Sequence, residues 1–284
     1  MQLAPASTLD YFEMLVTDDE DFALTEAAVA IAQDEYPSLD TQAVLAEIDH
    51  IADRLRRRIP ADCAPTQRLR LLQRYFYGEL GFAGNVNDYY SPRNSYLIDV
   101  LRTRRGIPIS LAVIYIEVAH QVGLPVQGVS FPGHFLVKLH VSGGDVVIDP
   151  MTGQSLSREE LDERLAPFRG RAGRRGAQVS LAAALQAATP REIIARMLHN
   201  LQEIHRQAGD WLRLLAVQER LVRLLPGDPA QRRDRGLALA ELGRVDAAID
   251  DLQAYLQQAR QAGDHDEIRR RLDALKAAGP TLWH

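Results

Sequence analysis

Cysteine is almost absent from these 284 residues: Cys63 is alone, so no internal disulfide can form. That fits a reducing compartment, and a cytoplasmic location is predicted. Cys63 lies between Asp62 and Ala64 in a proline-flanked loop and reads as an incidental loop cysteine. Long apolar runs are missing too, so no membrane span is predicted. Met1 to Ser7 lacks a basic segment leading into an apolar one, so no secretory signal is expected. An excess of positive charge is also missing. Lys and Arg number 33 against 38 Asp and Glu, for a net charge of −5. This argues against a generic binder of nucleic acid or anionic membrane. No glycine-rich phosphate loop occurs; Gly170-Arg171-Ala172-Gly173 resembles one only superficially. His50, His140, His199, His205, His265 and His284 show no metal-ligand spacing, and His120 reads as a helix C-terminal cap. Neither a metal nor a cofactor is therefore predicted.

What is present is an ordinary globular composition, 46% hydrophobic and 25% charged, long enough for about two domains. Helix formers run from Leu24 to Ala32, and Pro37 ends them. Asp40 or Thr41 caps a helix with Val44, Leu45, Ile48, Ile51 and Leu55 at steps of three and four. A further amphipathic helix is predicted from about Thr66 to Leu80. Asn85 to Asn94 is polar, aromatic and turn-forming, a loop. A short helix around Ser95 to Arg104 leads to Gly106-Ile107-Pro108, and Ile109 to Val122 is apolar on nearly every side, the mark of a buried helix. Strands follow at Val126–Ser130, Phe135–Val141 and Val146–Ile148, with a hairpin turn at Ser142–Asp145. A central helix followed by antiparallel strands predicts an α+β domain. Ser157 and Glu160 form a capping box, and Arg169 to Arg175 reads as an exposed loop.

After Pro190 only helices are expected. Gly209 and Gly243 lie 34 residues apart, the tetratricopeptide period, with Pro226-Gly227-Asp228-Pro229 between them. A last helix is expected from about Asp266 to Ala277. The predicted division is 1–188 for the α+β domain and 189–284 for the repeats.

Three side chains stand in contexts that carry chemistry. Ser110 opens the buried helix, His134 precedes a strand in Phe131-Pro132-Gly133-His134-Phe135, and Asp149 ends the next strand before Pro150. A residue at a helix N-terminus followed by one on each of two neighbouring strands is the layout of a papain- or transglutaminase-type triad. One reading makes Ser110 the nucleophile, His134 its base and Asp149 the group that orients the imidazole. The other has Ser110 satisfying orphan N–H groups at the helix start, with His134 and Asp149 stiffening the strands. A helix end can draw a thiol into its thiolate, but it cannot ionise a serine hydroxyl. In the 85–94 loop, Tyr89, Tyr90, Arg93 and Asn94 are candidate binding residues. Asn94 can donate to an oxyanion and Arg93 can bind a carboxylate or phosphate, or both can cap the loop's own backbone.

The runs Gly81–Asn85, Tyr89–Leu97, Arg105–Ser110, Gly128–Phe135 and Asp149-Pro150 together resemble the SirB-one family, a bacterial group that joins a transglutaminase-like domain to C-terminal tetratricopeptide repeats. The resemblance covers roughly Leu24 to Leu165 and, more loosely, the repeats. Two positions depart from the family pattern. Ser91 stands where Asp is usual, and Met151-Thr152-Gly153-Gln154 replaces a Phe-Asn-Gly-Gly type run. The resemblance implies a papain/transglutaminase-like domain that carries a hydroxyl residue at the cysteine position. The expected function is that of a cytoplasmic interaction or regulatory protein without transglutaminase activity, a pseudoenzyme. The alternative is a serine-dependent acyl or peptide hydrolase. The expected partner is a protein or peptide, held by the repeats or the cleft. Arg206, Arg213, Arg232, Arg233 and Arg235 favour an acidic partner or form a solvated face.

Overall fold

The computed structural model describes residues 7–17, 22–169 and 180–278. The Gly/Arg-rich stretch predicted as a loop lies, beyond Arg169, outside these residues, as do residues 1–6. Contacts divide the chain into two compact units, Glu20–Met197, and Met1–Asp19 together with Leu198–His284. This differs from the expected division at 188/189, most of all for the first helix, α1 (Thr8–Val16). Ser7 and Asp10 cap α1 reciprocally, and Phe12 and Val16 are buried. Arg220 of the repeats lies over the Phe12 ring, 5.5 Å from its centroid. Two buried side chains on a nine-residue helix are too weak a pattern to reveal that partner from sequence.

The unit Glu20–Met197 begins with α2 (Leu24–Ala30), a 3₁₀ turn (Ile31–Asp34), α3 (Thr41–Arg56) and α4 (Pro65–Gln73). Asp40 caps α3 through the Ala43 N–H at 3.1 Å, as its sequence position predicts. The single helix expected over Thr66–Leu80 instead changes at Arg74 into a π-helical turn (Arg74–Glu79). The widened turn lets consecutive aromatics, Tyr75 and Phe76, both point inward. Phe76 stacks on Phe82 with centroids 4.2 Å apart and meets Tyr115 edge-on at 5.2 Å.

Strand β1 (Ala83–Gly84) pairs in parallel with β2 (Arg105–Gly106), on either side of a 3₁₀ turn (Pro92–Asn94) and α5 (Leu97–Thr103). Extended Ile107 and Pro108 then start α6 (Pro108–Gln121), as expected for proline at a first helical position. From Ile109 to Ala119 every residue but Glu117 is at most 5% exposed. Glu117 is tolerated because it accepts a hydrogen bond from Thr25 at 2.7 Å.

The main sheet has the order β3 (Gln127–Val129), β4 (Leu136–Val141), β5 (Gly144–Ile148), β6 (Ser155–Leu156), antiparallel throughout. Val141 pairs with Gly144, so Ser142-Gly143 is the two-residue turn, and Gly144 takes φ +120°. Val129, Leu136 and Val147 form a core with Leu161 and Leu165 of α7 (Arg158–Arg169) and Ala184 of α8 (Leu181–Ala184). Val137 and Leu139 alternate to the opposite face and are equally buried. β6 was not predicted; two residues are too short to show alternation.

The other unit is helical: α9 (Pro190–Ala208), whose residues from Leu198 belong here, α10 (Trp211–Leu224), α11 (Pro229–Glu241), α12 (Val245–Gln258) and α13 (His265–Ala278). Gly209 and Gly243 take φ of +66° and +70° at the helix ends, which is why glycine recurs there. Gly236 answers a different need: a Cβ there would come within 2.9 Å of Leu252 Cδ2 on α12. Consecutive helices approach that closely only over a missing side chain.

Candidate functional site

Ser110 sits three residues into α6 and is 0% exposed. Its Oγ accepts from the Ile107 N–H at 3.2 Å, and lies 2.6 Å from the Asn94 carbonyl and 3.1 Å from that of Ile107. A hydroxyl has one proton, and the short contact to Asn94 is where it goes. The side chain thus ties the end of the 85–94 loop to the start of the helix, and a Cβ at Gly106 would fall 2.7 Å from this Oγ. Among the described residues no hydrogen bond joins Ser110 to His134.

His134 and Asp149 do meet. Nε2 of the imidazole is 3.0 Å from Asp149 Oδ1, which also accepts from the Met151 N–H at 3.0 Å. Arg164 of α7 donates to Asp149 Oδ2 at 3.0 Å. Burial by itself would raise the Asp149 pKa. The hydrogen bond and charge of His134, the Met151 N–H and Arg164 outweigh it, and hold the carboxyl down at about 2. The unusual Met151-Thr152-Gly153-Gln154 run folds back to hold this carboxylate. The Gly153 N–H donates to the Asp149 carbonyl at 2.8 Å, and the Asp149 N–H donates to the Gln154 carbonyl at 2.9 Å. Gly153 has φ +74°, and a Cβ on it would strike the Tyr77 ring at 2.4 Å. The ionised Asp149 carboxylate can orient the imidazole through Nε2, with Nδ1 left as the ring's second nitrogen.

The binding candidates divide. Asn94, 3% exposed, spends its amide on the loop: it accepts from Asn85 at 2.9 Å and donates to the carbonyls of Asp88 and Tyr89 at 2.6 and 3.2 Å. Arg93 donates to Asp99 at 3.2 Å, a buried carboxylate that also receives Arg102 and the Tyr36 hydroxyl. Tyr89 and Tyr90 are open to solvent, 42% and 73% exposed, and meet edge-to-face at 5.4 Å. His120 bonds the Val126 carbonyl at 2.7 Å, beyond its own helix end. Cys63 is buried, with Sγ 3.8 Å from the Ala64 carbonyl. Among the described residues, no three His, Cys, Asp or Glu side chains gather as metal ligands, and no helix is long and apolar enough to cross a membrane.

Sequence reasoning missed Arg164, whose spacing from Asp149 carries no local signal. It also missed the buried hydroxyls of Tyr77 and Tyr115, on rings 5.8 Å apart, which have no hydrogen-bond partner among the described residues. In the repeats a groove of about 950 Å³ has Trp211, Leu214, Leu237 and Ile268 among its lining residues, with Gln218, Arg206, Arg270 and Glu267. The arginines expected to attract an acidic partner are largely neutralised in place. Arg206 pairs with Glu203, Arg213 with Asp210, Arg233 with Asp234 and Asp264, and Arg235 with Asp251.

Residues 42–199 match the model of a transglutaminase-like superfamily, and residues 201–273 match a tetratricopeptide repeat. A UPF0162 protein of Xylella fastidiosa (strain Temecula1) is 40% identical over 260 residues, which is 91% of this chain and 92% of the relative. UPF0162 protein YchA of Escherichia coli K12 is 28% identical over 255 residues, 88% and 90% of the two chains. A UPF0162 protein of Vibrio cholerae is 27% identical over 275 residues, 95% and 100%. A crystal structure of menin, whose title names a binding site for Mixed Lineage Leukemia protein, covers 93% of this chain and 73% of its own at 10% identity. The TM-score of that match is 0.40. The buried helix against an antiparallel sheet, the His–Asp pair and these matches agree, and the chain belongs to the transglutaminase-like superfamily, in the UPF0162, SirB-like family with C-terminal tetratricopeptide repeats.

Proposed function

We propose that this chain is an interaction or regulatory protein, working in the cytoplasm, on a transglutaminase-like scaffold whose serine is structural. The observation that carries this is the Ser110 hydroxyl, 0% exposed and 2.6 Å from the Asn94 carbonyl. A serine nucleophile must hand its proton to a base and reach an acyl carbon. This one gives its proton to the backbone. The repeats support the other half of the reading, since stacked helical repeats form concave surfaces for polypeptides. A fluorophosphonate probe tests it: wild type and Ser110→Ala are expected to label equally little. Labelling of wild type that disappears in Ser110→Ala would establish a serine hydrolase instead. That second reading draws its support from the His134–Asp149 pair, held as a base would need to be.

A further inference from the structure

Arg196, in the second turn of α9, reaches the segment that leads to His134. Its Nη1 donates to the Ser130 hydroxyl at 2.8 Å and the Phe131 carbonyl at 3.2 Å, and its guanidinium carbon lies 5.6 Å from the Phe135 ring centroid. The acid placed to neutralise it is Glu192, one turn earlier on the same helix face. That carboxylate is turned away, accepting the Thr189 N–H at 2.8 Å. Among the described residues Arg196 has no carboxylate partner, and no bond is made by Nε or Nη2. Burial draws the guanidinium pKa down, and Tyr89 is the titratable group close enough to interact with it. The Tyr89 hydroxyl is in turn raised by burial and by Tyr90, and lowered by Arg196. A partly desolvated positive charge without a counter-ion is costly, and an anion supplied from outside offsets that cost.

We propose that Arg196, with the Ser130 hydroxyl beside it and Tyr89 near enough to interact with its charge, is a binding site for the carboxylate of a polypeptide ligand. The unused Nε and Nη2 edge has the two-pronged geometry a carboxylate accepts. The site offers one positive charge among neutral donors, which balances a monoanion and leaves half of a phosphate dianion uncompensated. Exposed Tyr89 and Tyr90 supply flat apolar surface for the rest of the ligand. The proposal stands whether or not Ser110 reacts.

Titration of the full-length ¹⁵N-labelled chain, followed at the Arg196 Nε–H and the Ser130 amide by NMR, tests this. N-acetylglycine represents a C-terminal carboxylate, N-acetylglutamic acid α-amide a side-chain carboxylate, and inorganic phosphate the competing anion. A saturable shift with either carboxylate is expected, and which one binds more tightly identifies the source. Arg196→Gln is expected to weaken binding at least about tenfold, the loss of a charge-assisted bond. Arg196→Lys should fall between it and wild type. Because Arg196→Gln could also loosen the Ser130 segment, Tyr89→Phe serves as a second variant, with an expected weakening of about two- to tenfold and unchanged melting. Three results would overturn the proposal: no shift with either carboxylate, undiminished binding by a folded Arg196→Gln, or phosphate binding more tightly than both.

Discussion

Ser110 and Asp149 show how far a residue's type falls short of its role. The Ser110 hydroxyl bridges the Ile107 N–H and the Asn94 carbonyl, so Ser110→Ala leaves those two groups only their longer direct bond of 3.4 Å. A loss of about 1–2 kcal/mol is expected, read as a fall in melting temperature of a few degrees. Asp149 makes a pH prediction. Its pKa is about 2 in the folded chain against an ordinary aspartate value of 3.8, so the unfolded state binds the proton more readily. The resulting stability, about 2 kcal/mol, is fully present above about pH 4 and is lost as pH falls through 2. Urea unfolding of Asp149→Asn should show lower stability at pH 7 and a flatter decline between pH 4 and 2. An unchanged acid limb would contradict the assignment. The places of His134 and Asp149 in the fold were legible because one precedes and the other follows a strand with a recognisable pattern. Arg164 and Arg196 were not, because a long side chain's reach is set by the helix that carries it.

Elements were more legible than side-chain directions. The helix at Ile109–Val122 and the hairpin at 142–145 were expected close to where they stand, since periodicity and turn chemistry are local. The π-helical turn at Arg74–Glu79 was not, because a run of helix formers carries no mark of the extra residue per turn. Its setting is tertiary: Phe76, within the turn, meets both Phe82 and Tyr115. In the repeats, Gly209 and Gly236 look alike in sequence but predict different failures. Gly209→Ala has open space for its Cβ but a φ of +66°, and should cost about 1 kcal/mol through backbone strain. Gly236→Ala keeps a helical backbone but drives α11 from α12, and should cost about 1–3 kcal/mol. Thermal unfolding of both variants checks the order, and equal losses would contradict it.

The molecule as a whole combines a buried-helix core with a repeat groove. Hydrogen exchange is expected to be slowest in α6, buried on nearly every side, and much faster in the exposed part of the 85–94 loop. For the groove, a photo-crosslinking residue at Leu237 should capture a polypeptide partner, and Trp211→Ala should sharply reduce the capture without altering melting. Undiminished capture would place the partner elsewhere. The two-unit division itself was only partly readable. The 34-residue glycine spacing announced the repeats, whereas α1 joins them through Phe12 and Val16, a contact made across some two hundred residues of chain.

By itself the amino-acid order determined most of the longer helices and strands, the repeat period and the positions of a serine, a histidine and an aspartate along them, because those features depend on neighbours within a turn or a strand. Only the tertiary structure decided that the aspartate and histidine meet while the serine turns inward to the Asn94 carbonyl. A hydroxyl goes to the nearest unsatisfied acceptor, and which acceptor that is depends on a loop brought to the helix end by the fold.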